Sequence, residues 1–123
     1  MARILLIDDD DALRTMIRFA LEAKGHAITE ARDGREALRL HRLVPAELVL
    51  TDIQMPERDG LEVLMDLRRE SPDVKVIAMS GGGSIVSSAA SLEMAAPLGA
   101  IASLAKPFKL EALFEAVDRA LAA

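Results

Sequence analysis

The sequence predicts an α/β domain built on a parallel sheet with helices on both faces. Short apolar runs alternate with helical patterns along the whole chain, which is the order that βαβ units produce. Several of these runs are apolar without interruption, as expected for strands that are buried on both sides. The chain has 123 residues, of which 51% are hydrophobic, and this is enough for one domain with a substantial core.

Five runs rich in leucine or β-branched residues predict the strands of this sheet. They lie at residues 4–7, 26–29, 48–51, 74–79 and 101–104. A helical pattern follows each run, so successive strands are connected by crossover helices and should run parallel.

The first helix is the clearest of the helical predictions. Leu13, Ile17 and Leu21 recur on one face, and Gly25 follows as a stop signal. Four further patterns comprise a capping box from Asp33 to Glu36 and periodic apolar residues within 60–69, 84–96 and 110–121. The pattern within 84–96 is the weakest, because its many Ser and Ala residues leave only a narrow apolar face.

Composition excludes several classes of function. The net charge of -5, without any basic run, argues against direct binding to nucleic acid or to an anionic membrane. Cysteine is absent, which excludes disulfides and thiolate chemistry. The N-terminal apolar run is too short for a signal peptide, and no run is long enough to span a bilayer. We therefore expect a cytoplasmic protein.

Four consecutive aspartates, Asp8 to Asp11, follow the first apolar run directly. Neighbouring like charges repel by about 1 to 4 kcal/mol per pair, so this arrangement needs compensation. A hard cation such as Mg²⁺ would supply it, since such ions prefer carboxylate oxygens. Helix capping and the helix dipole would also stabilise acids at this position. The run alone does not decide between a metal site and a charged helix start.

Polar side chains also follow the other predicted strands. Asp52 follows the third strand, Ser80 the fourth and Lys106 the fifth, while Asp8 and Asp9 follow the first. In open parallel sheets, ligands bind outside the carboxyl ends of the strands. Carboxylates, a hydroxyl and an ammonium meeting at one edge are suited to transferring a phosphoryl group to a carboxylate, with Mg²⁺ and the lysine stabilising charge.

These positions fall within recognisable motifs, namely the pair Asp8-Asp9, the segment Asp52-Ile-Gln-Met-Pro56 with Asp59-Gly60 behind it, Ser80, and Lys106-Pro107-Phe108. Together they resemble a response-regulator receiver domain of the chemotaxis type, and the resemblance covers essentially the whole chain. It implies a doubly wound, flavodoxin-like sheet with the strand order 2-1-3-4-5. Because only Ala122 and Ala123 follow the last predicted helix, we expect residues 1–123 to form a single receiver domain without an output domain.

The resemblance implies a role for each site residue. Asp52 would be the phosphoacceptor of a two-component phosphorelay. Asp9, Asp52 and the backbone carbonyl of Gln54 would bind Mg²⁺ directly, while Asp8 would act through a bound water. Lys106 would contact the phosphoryl oxygens.

Further implied roles concern the switch that follows phosphorylation. Ser80 would hydrogen-bond the phosphoryl group, and Gln54 would influence how fast that group is lost. A cis peptide bond is implied before Pro107. The family usually has Tyr or Phe at the switch position occupied here by Ser103, so the usual aromatic part of the switch is missing.

The resemblance also implies partners. A sensor histidine kinase or a histidine phosphotransfer protein would donate the phosphoryl group, and a downstream protein target would recognise the result. The protein would not be an enzyme, except that it would catalyse its own phosphorylation and dephosphorylation.

Two other functions remain open from the residues alone. The pair Asp8 and Asp10 resembles the first motif of haloacid-dehalogenase-like phosphatases, with Asp8 as nucleophile, although Ala12 stands where that motif usually has Thr or Val. The chain would otherwise be a receiver-fold interaction module that is never phosphorylated. We expect Asp10 and Asp11 to stabilise the start of a helix, and both histidines, His26 and His41, to lie on the surface.

Overall fold

The computed structural model describes residues 2–52, 60–80 and 100–122. Its centre is a five-stranded parallel sheet with the order 2-1-3-4-5, which confirms the predicted fold class. The strands are β1 (Arg3–Ile7), β2 (Ala27–Ala31), β3 (Leu48–Asp52), β4 (Lys75–Ser80) and β5 (Ala100–Ala105).

The register of the strands brings their carboxyl ends to one edge of the sheet. Ile7 at the end of β1 is paired with Thr51 of β3, so that Asp52 is the next residue along this edge. On the other side of β3, Ser80 at the end of β4 is paired with Ala105 at the end of β5. The residues that end or follow these strands therefore lie near one another in space.

Four helices are described: α1 (Asp11–Ala23), α2 (Gly34–Leu43), α3 (Gly60–Glu70) and α4 (Leu110–Ala122). The predicted helix within 84–96 lies outside the described residues. None of these four helices has the length and apolar character needed to cross a bilayer.

Side-chain caps explain where the first two helices begin. The Asp10 carboxylate accepts a hydrogen bond of 3.1 Å from the backbone N–H of Leu13, so Asp10 is the N-cap of α1. Asp33 accepts one of 2.9 Å from the N–H of Glu36, as predicted from the capping-box spacing. Gly25 has a φ of 91°, a left-handed conformation that suits glycine at the end of α1.

The two faces of the sheet carry separate apolar clusters, because alternate residues of a strand point to opposite sides. Leu5 and Ile7 of β1 pack on the face covered by α2 and α3. Ile4 and Leu6 pack on the opposite face, with residues of α1 and α4. Each large side chain in these clusters contributes about 1.5–3 kcal/mol through burial. The clusters confirm that helices cover both faces.

The prediction that His41 lies on the surface is wrong, since only 3% of this residue is exposed. Its Nδ1 atom accepts a hydrogen bond of 3.2 Å from the backbone N–H of Ala46. Its Nε2 atom therefore carries the proton and donates to the Ser71 hydroxyl at 2.8 Å. Burial lowers the pKa of His41 below its ordinary value, although the charge of Glu70 acts in the opposite direction. His26 is partly exposed.

Candidate functional site

A lysine and two aspartates meet at the carboxyl edge of the sheet. The Lys106 ammonium lies 2.7 Å from Oδ2 of Asp8 and 3.1 Å from Oδ2 of Asp52. Asp8 is the first residue after β1 and Lys106 the first after β5, whereas Asp52 is the last residue of β3 itself. The structure thus brings together three of the residues that the sequence places at strand ends.

Burial makes the charges of this group strongly interdependent. The Asp8 side chain is 0% exposed and that of Lys106 is 15% exposed. Burial alone would lower the pKa of Lys106, but the hydrogen bond to Asp8 and the charges of Asp52 and Asp8 together raise it above its ordinary value of 10.5. The lysine is therefore charged at neutral pH and acts as a counter-ion for both carboxylates.

Asp9 adds a third carboxylate to the group. Carboxylate oxygens of Asp8, Asp9 and Asp52 all lie within 4.8 Å of one another, and Asp9 is exposed whereas the other two residues are buried. Counted formally, the three carboxylates (−3) and the Lys106 ammonium (+1) carry a net charge of −2. Donors that are all oxygen, with excess negative charge, fit a hard divalent cation such as Mg²⁺.

Asp8 is held by hydrogen bonds at every polar group. Its Oδ1 atom accepts from the backbone N–H of Asp10 at 2.9 Å, while Oδ2 accepts from Lys106. Its own N–H donates to the Ala31 carbonyl at 3.1 Å, and its carbonyl accepts from Arg14 at 2.7 Å. Asp8 is thus a fixed anchor for the lysine ammonium.

Asp10 and Asp11 belong to α1 rather than to the cluster formed by the three carboxylates described above. Asp10 is the N-cap, and Asp11 is the first residue of α1. The Asp11 carboxylate accepts a hydrogen bond of 2.7 Å from Nη2 of Arg14. Both positions agree with the expectation that these acids stabilise the start of a helix.

The remaining predicted site residues are described in part. Ser80 ends β4 beside Ala105, so its backbone lies at the same edge of the sheet. Gln54 lies outside the described residues, and its two expected roles stay predictions. The peptide bond between Lys106 and Pro107 is cis.

Ser103, at the predicted switch position, lies in β5 opposite Ala78. Together with Ile101 it lines one side of a cavity of about 390 Å³, and the other side is formed by residues of α4 such as Ala112 and Ala116. The side chains of Ser103, Ala112 and Ala116 are small, which leaves volume between β5 and α4.

Arg14 is a site-adjacent residue that the sequence reasoning missed. Its guanidinium contacts the Asp8 carbonyl, the Asp11 carboxylate and, at 3.0 Å, the Glu30 carboxylate. Burial would lower the pKa of Arg14, but the hydrogen bonds to Asp11 and Glu30 raise it above its ordinary value. The only sequence signal is a basic residue one helical turn after the acidic run.

A fold of this order with acids and a lysine at its carboxyl edge is typical of signalling receiver domains, and comparison with known proteins agrees. A family model described as "Response regulator receiver domain" matches residues 4–118. The chain therefore belongs to the response regulator receiver domain family, whose members act in two-component signal transduction.

Curated relatives show the same relationship in longer proteins. The chain is 32% identical over 120 residues to the transcriptional regulatory protein GlrR of Escherichia coli K12, covering 98% of this chain and 26% of that protein. It is 39% identical over 111 residues to the response regulator MprA of Mycolicibacterium vanbaalenii, covering 90% of this chain and 46% of that protein. The chain thus spans about a quarter to about half of the length of these relatives, which are named as regulators.

Solved structures agree in fold over nearly the full length. The chemotaxis protein CheY4 of Vibrio cholerae superposes with a TM-score of 0.88 at 27% identity, covering 98% of both chains. A response regulator receiver domain protein of Clostridium thermocellum gives a TM-score of 0.87 at 29% identity, covering 99% of this chain and 95% of that one. The resemblance deduced from the strand-end motifs is confirmed.

Proposed function

We propose that Asp52 is the phosphoacceptor of a cytoplasmic two-component phosphorelay, with residues 1–123 acting as one receiver domain. The observation that supports this most directly is the Lys106 ammonium, which lies within hydrogen-bond distance of both Asp8 and Asp52 at the carboxyl edge of the sheet. An aspartate beside a fixed cation is suited to accept a doubly charged group.

The transfer step is a displacement at phosphorus. A carboxylate oxygen of Asp52 forms a P–O bond as the P–N bond of a phosphohistidine breaks, and the bonding electron pair leaves with the imidazole. The phosphohistidine would belong to a sensor histidine kinase or a histidine phosphotransfer protein. With acetyl phosphate as a small donor, a P–O bond breaks instead and acetate leaves.

The neighbouring residues would position and neutralise the incoming group. Lys106, held by Asp8, would donate to a phosphoryl oxygen once that group is attached to Asp52. Asp9, Asp52 and the Gln54 carbonyl would hold Mg²⁺, with Asp8 acting through a water. The bound ion would offset the charge that builds up on the phosphoryl oxygens.

Asp52 is a better candidate for the nucleophile than Asp8. Both carboxylate oxygens of Asp8 accept hydrogen bonds, and its side chain is 0% exposed. The Asp52 side chain is 6% exposed, and its contact with Lys106 is longer, at 3.1 Å. Together with the family match, this difference favours the receiver reaction over the phosphatase reaction that the Asp8-Asp10 motif suggests.

The output of the reaction would be altered docking of a downstream protein target. Ser80 would hydrogen-bond the phosphoryl group, and Gln54 would set the rate at which this group is lost. The chain would catalyse only its own phosphorylation and dephosphorylation. Since Ser103 carries no ring, the switch would operate without rotation of an aromatic side chain at this position.

Mapping of the phosphorylated residue tests the proposal. The protein is incubated with Mg²⁺ and acetyl phosphate, the acyl phosphate is trapped by reduction with borohydride, and the modified residue is located by mass spectrometry. We expect modification of Asp52, its loss in Asp52→Asn, and its retention in Asp10→Asn as a matched control. Modification of Asp8 would instead support the phosphatase, and no modification of folded, Mg²⁺-saturated protein would support the unphosphorylated module.

A further inference from the structure

We propose that Arg14 is a positioning residue, which fixes the backbone of the loop carrying Asp9 and so sets the affinity of the site for Mg²⁺. This inference rests on the proposed function, because it takes the carboxylates of Asp8, Asp9 and Asp52 as a cation site. The proposed role falls to a residue of α1 whose side chain does not itself contact the carboxylates of Asp8, Asp9 and Asp52.

The contacts of Arg14 connect three elements. Its side chain is only 11% exposed and extends from α1 back towards the end of β1. Nη1 donates to the backbone carbonyl of Asp8 at 2.7 Å, Nη2 donates to Asp11 at 2.7 Å, and Nε donates to Glu30 of β2 at 3.0 Å. The planar guanidinium therefore binds the loop between β1 and α1 at two points, Asp8 and Asp11. Glu30 of β2 holds the guanidinium itself in place.

The contact with the Asp8 carbonyl has a direct consequence for Asp9. The carbonyl of Asp8 and the N–H of Asp9 belong to one rigid, planar peptide unit. A hydrogen bond that fixes the direction of this carbonyl therefore fixes the backbone from which the Asp9 side chain extends. The Asp8 N–H is likewise held by Ala31 at 3.1 Å, so the backbone before Asp9 is fixed on both sides.

Asp9 depends on its backbone for its position more than the other two carboxylates do. Asp8 and Asp52 both receive a hydrogen bond from Lys106. Within the described part of the chain, the Asp9 carboxylate has no hydrogen-bond or ion-pair partner and is exposed. A change in the peptide unit before Asp9 would therefore move this carboxylate away from the others without resistance from the site.

Arg18 provides a matched control within the same helix. It also pairs with Glu30, at 2.5 Å, and its other ion pair is with Glu22 at 3.5 Å. Removal of either arginine takes one cation from Glu30, but only removal of Arg14 frees the Asp8 carbonyl. A comparison of the two separates loop positioning from a general change of charge.

The experiment compares Arg14→Gln, Arg14→Lys and Arg18→Gln by isothermal titration with Mg²⁺ in the absence of any phosphoryl donor. We expect Arg14→Gln to bind Mg²⁺ about tenfold more weakly, as is usual when a group that orients a metal ligand is removed. The Mg²⁺ affinity of Arg14→Lys should lie between that of Arg14→Gln and that of the unmodified protein, because an ammonium replaces only part of the guanidinium fork. Arg18→Gln should stay within about twofold, since mutation of a residue outside this contact leaves the ligands in place.

Amide hydrogen exchange in Mg²⁺-free protein gives a second readout. The amides of Asp9 and Asp10 should exchange faster in Arg14→Gln than in Arg18→Gln. Equal Mg²⁺ affinity in Arg14→Gln and the unmodified protein would overturn the inference. An equal loss of Mg²⁺ affinity in Arg14→Gln and Arg18→Gln would also overturn it. If Arg14→Gln does not fold, Arg14→Lys against Arg18→Gln decides in the same way. Absence of phosphorylation at Asp52 would contradict the proposed function alone, since neither readout requires a phosphoryl donor.

Discussion

The Lys106 ammonium donates a hydrogen bond of 2.7 Å to Oδ2 of Asp8, although the two residues are 98 positions apart in the sequence. Its contact with Asp52 is longer, at 3.1 Å. An aspartate as buried as Asp8 requires a counter-charge, because an unpaired buried carboxylate costs several kcal/mol. Lys106 therefore supplies the counter-charge for Asp8.

Replacing Lys106 with alanine should tighten the binding of Mg²⁺. The ammonium neutralises the carboxylates that attract the ion and repels the ion itself, and such interactions amount to about 1 to 4 kcal/mol at this range. Reorganisation of the site offsets part of this interaction energy. We therefore expect the dissociation constant for Mg²⁺ to fall about three- to tenfold, as measured by isothermal titration. Lys109→Ala, which removes an exposed lysine three residues away, is the control. Weaker binding in Lys106→Ala would show that the lysine supports the ion rather than competing with it.

Asp9→Asn should stabilise the Mg²⁺-free protein while removing the stabilisation that Mg²⁺ provides. The substitution takes one negative charge from a group of three carboxylates. We expect the free energy of unfolding in urea with EDTA to rise by about 1 kcal/mol, the lower end of the range for like charges at this separation. Added Mg²⁺ should stabilise the unmodified protein by mass action but leave Asp9→Asn nearly unchanged.

Asp118→Asn serves as the control for this measurement, because Asp118 is an exposed acid of α4. It should change neither the stability in EDTA nor the response to Mg²⁺ appreciably. A loss of stability in Asp9→Asn without metal would mean that the carboxylate makes a favourable contact in the folded protein.

Asp10→Ala should destabilise the protein without weakening the Mg²⁺ site. It removes the cap that accepts from Leu13, which usually costs about 1 kcal/mol. The backbone N–H of Asp10 still donates to Asp8, so the anchor remains. Asp10→Asn, which retains a capping oxygen, should recover most of the stability. A large loss of Mg²⁺ affinity in Asp10→Asn would place Asp10 among the metal ligands.

Stability should fall as the pH is lowered through about 6.5, the ordinary pKa of histidine. The pKa of His41 is lowered in the folded protein, so the unfolded chain takes up the proton first and is favoured as the pH falls. Protonation of Nδ1 would also remove its hydrogen bond from the Ala46 N–H. Above pH about 6.5 the imidazole is neutral in both the folded and the unfolded state, so His41 no longer lowers the stability.

Urea unfolding at pH 7.5 and pH 5.5 measures this effect. The difference in the free energy of unfolding between the two pH values should shrink in His41→Gln. It should persist in His26→Gln, which replaces the other histidine of the chain. An equal pH dependence in His41→Gln and the unmodified protein would assign the effect to other groups.

The sequence was sufficient to predict the fold and the meeting of Asp8, Asp52 and Lys106, because strand ends of a parallel sheet share one edge. The burial of His41 was missed, although its spacing from Ala37 and Leu38 places it on the buried face of α2. Its partner Ser71 comes from a loop 30 residues away, and no local pattern reports such a contact. Arg14 was missed for a similar reason, since its decisive contact is with a backbone carbonyl, which every residue type possesses.

The strand order also fixes when the site can come into existence during synthesis. β1 is paired with β2 and β3, whereas Lys106 follows β5 at the far edge of the sheet. A nascent chain that has formed its first three strands already holds Asp8 and Asp52 side by side, with their repulsion unrelieved. Lys106, which relieves it, lies 54 residues after Asp52 and joins the site only when β4 and β5 have been added to the sheet. The carboxylates and their counter-charge therefore depend on the assembly of both sides of the sheet.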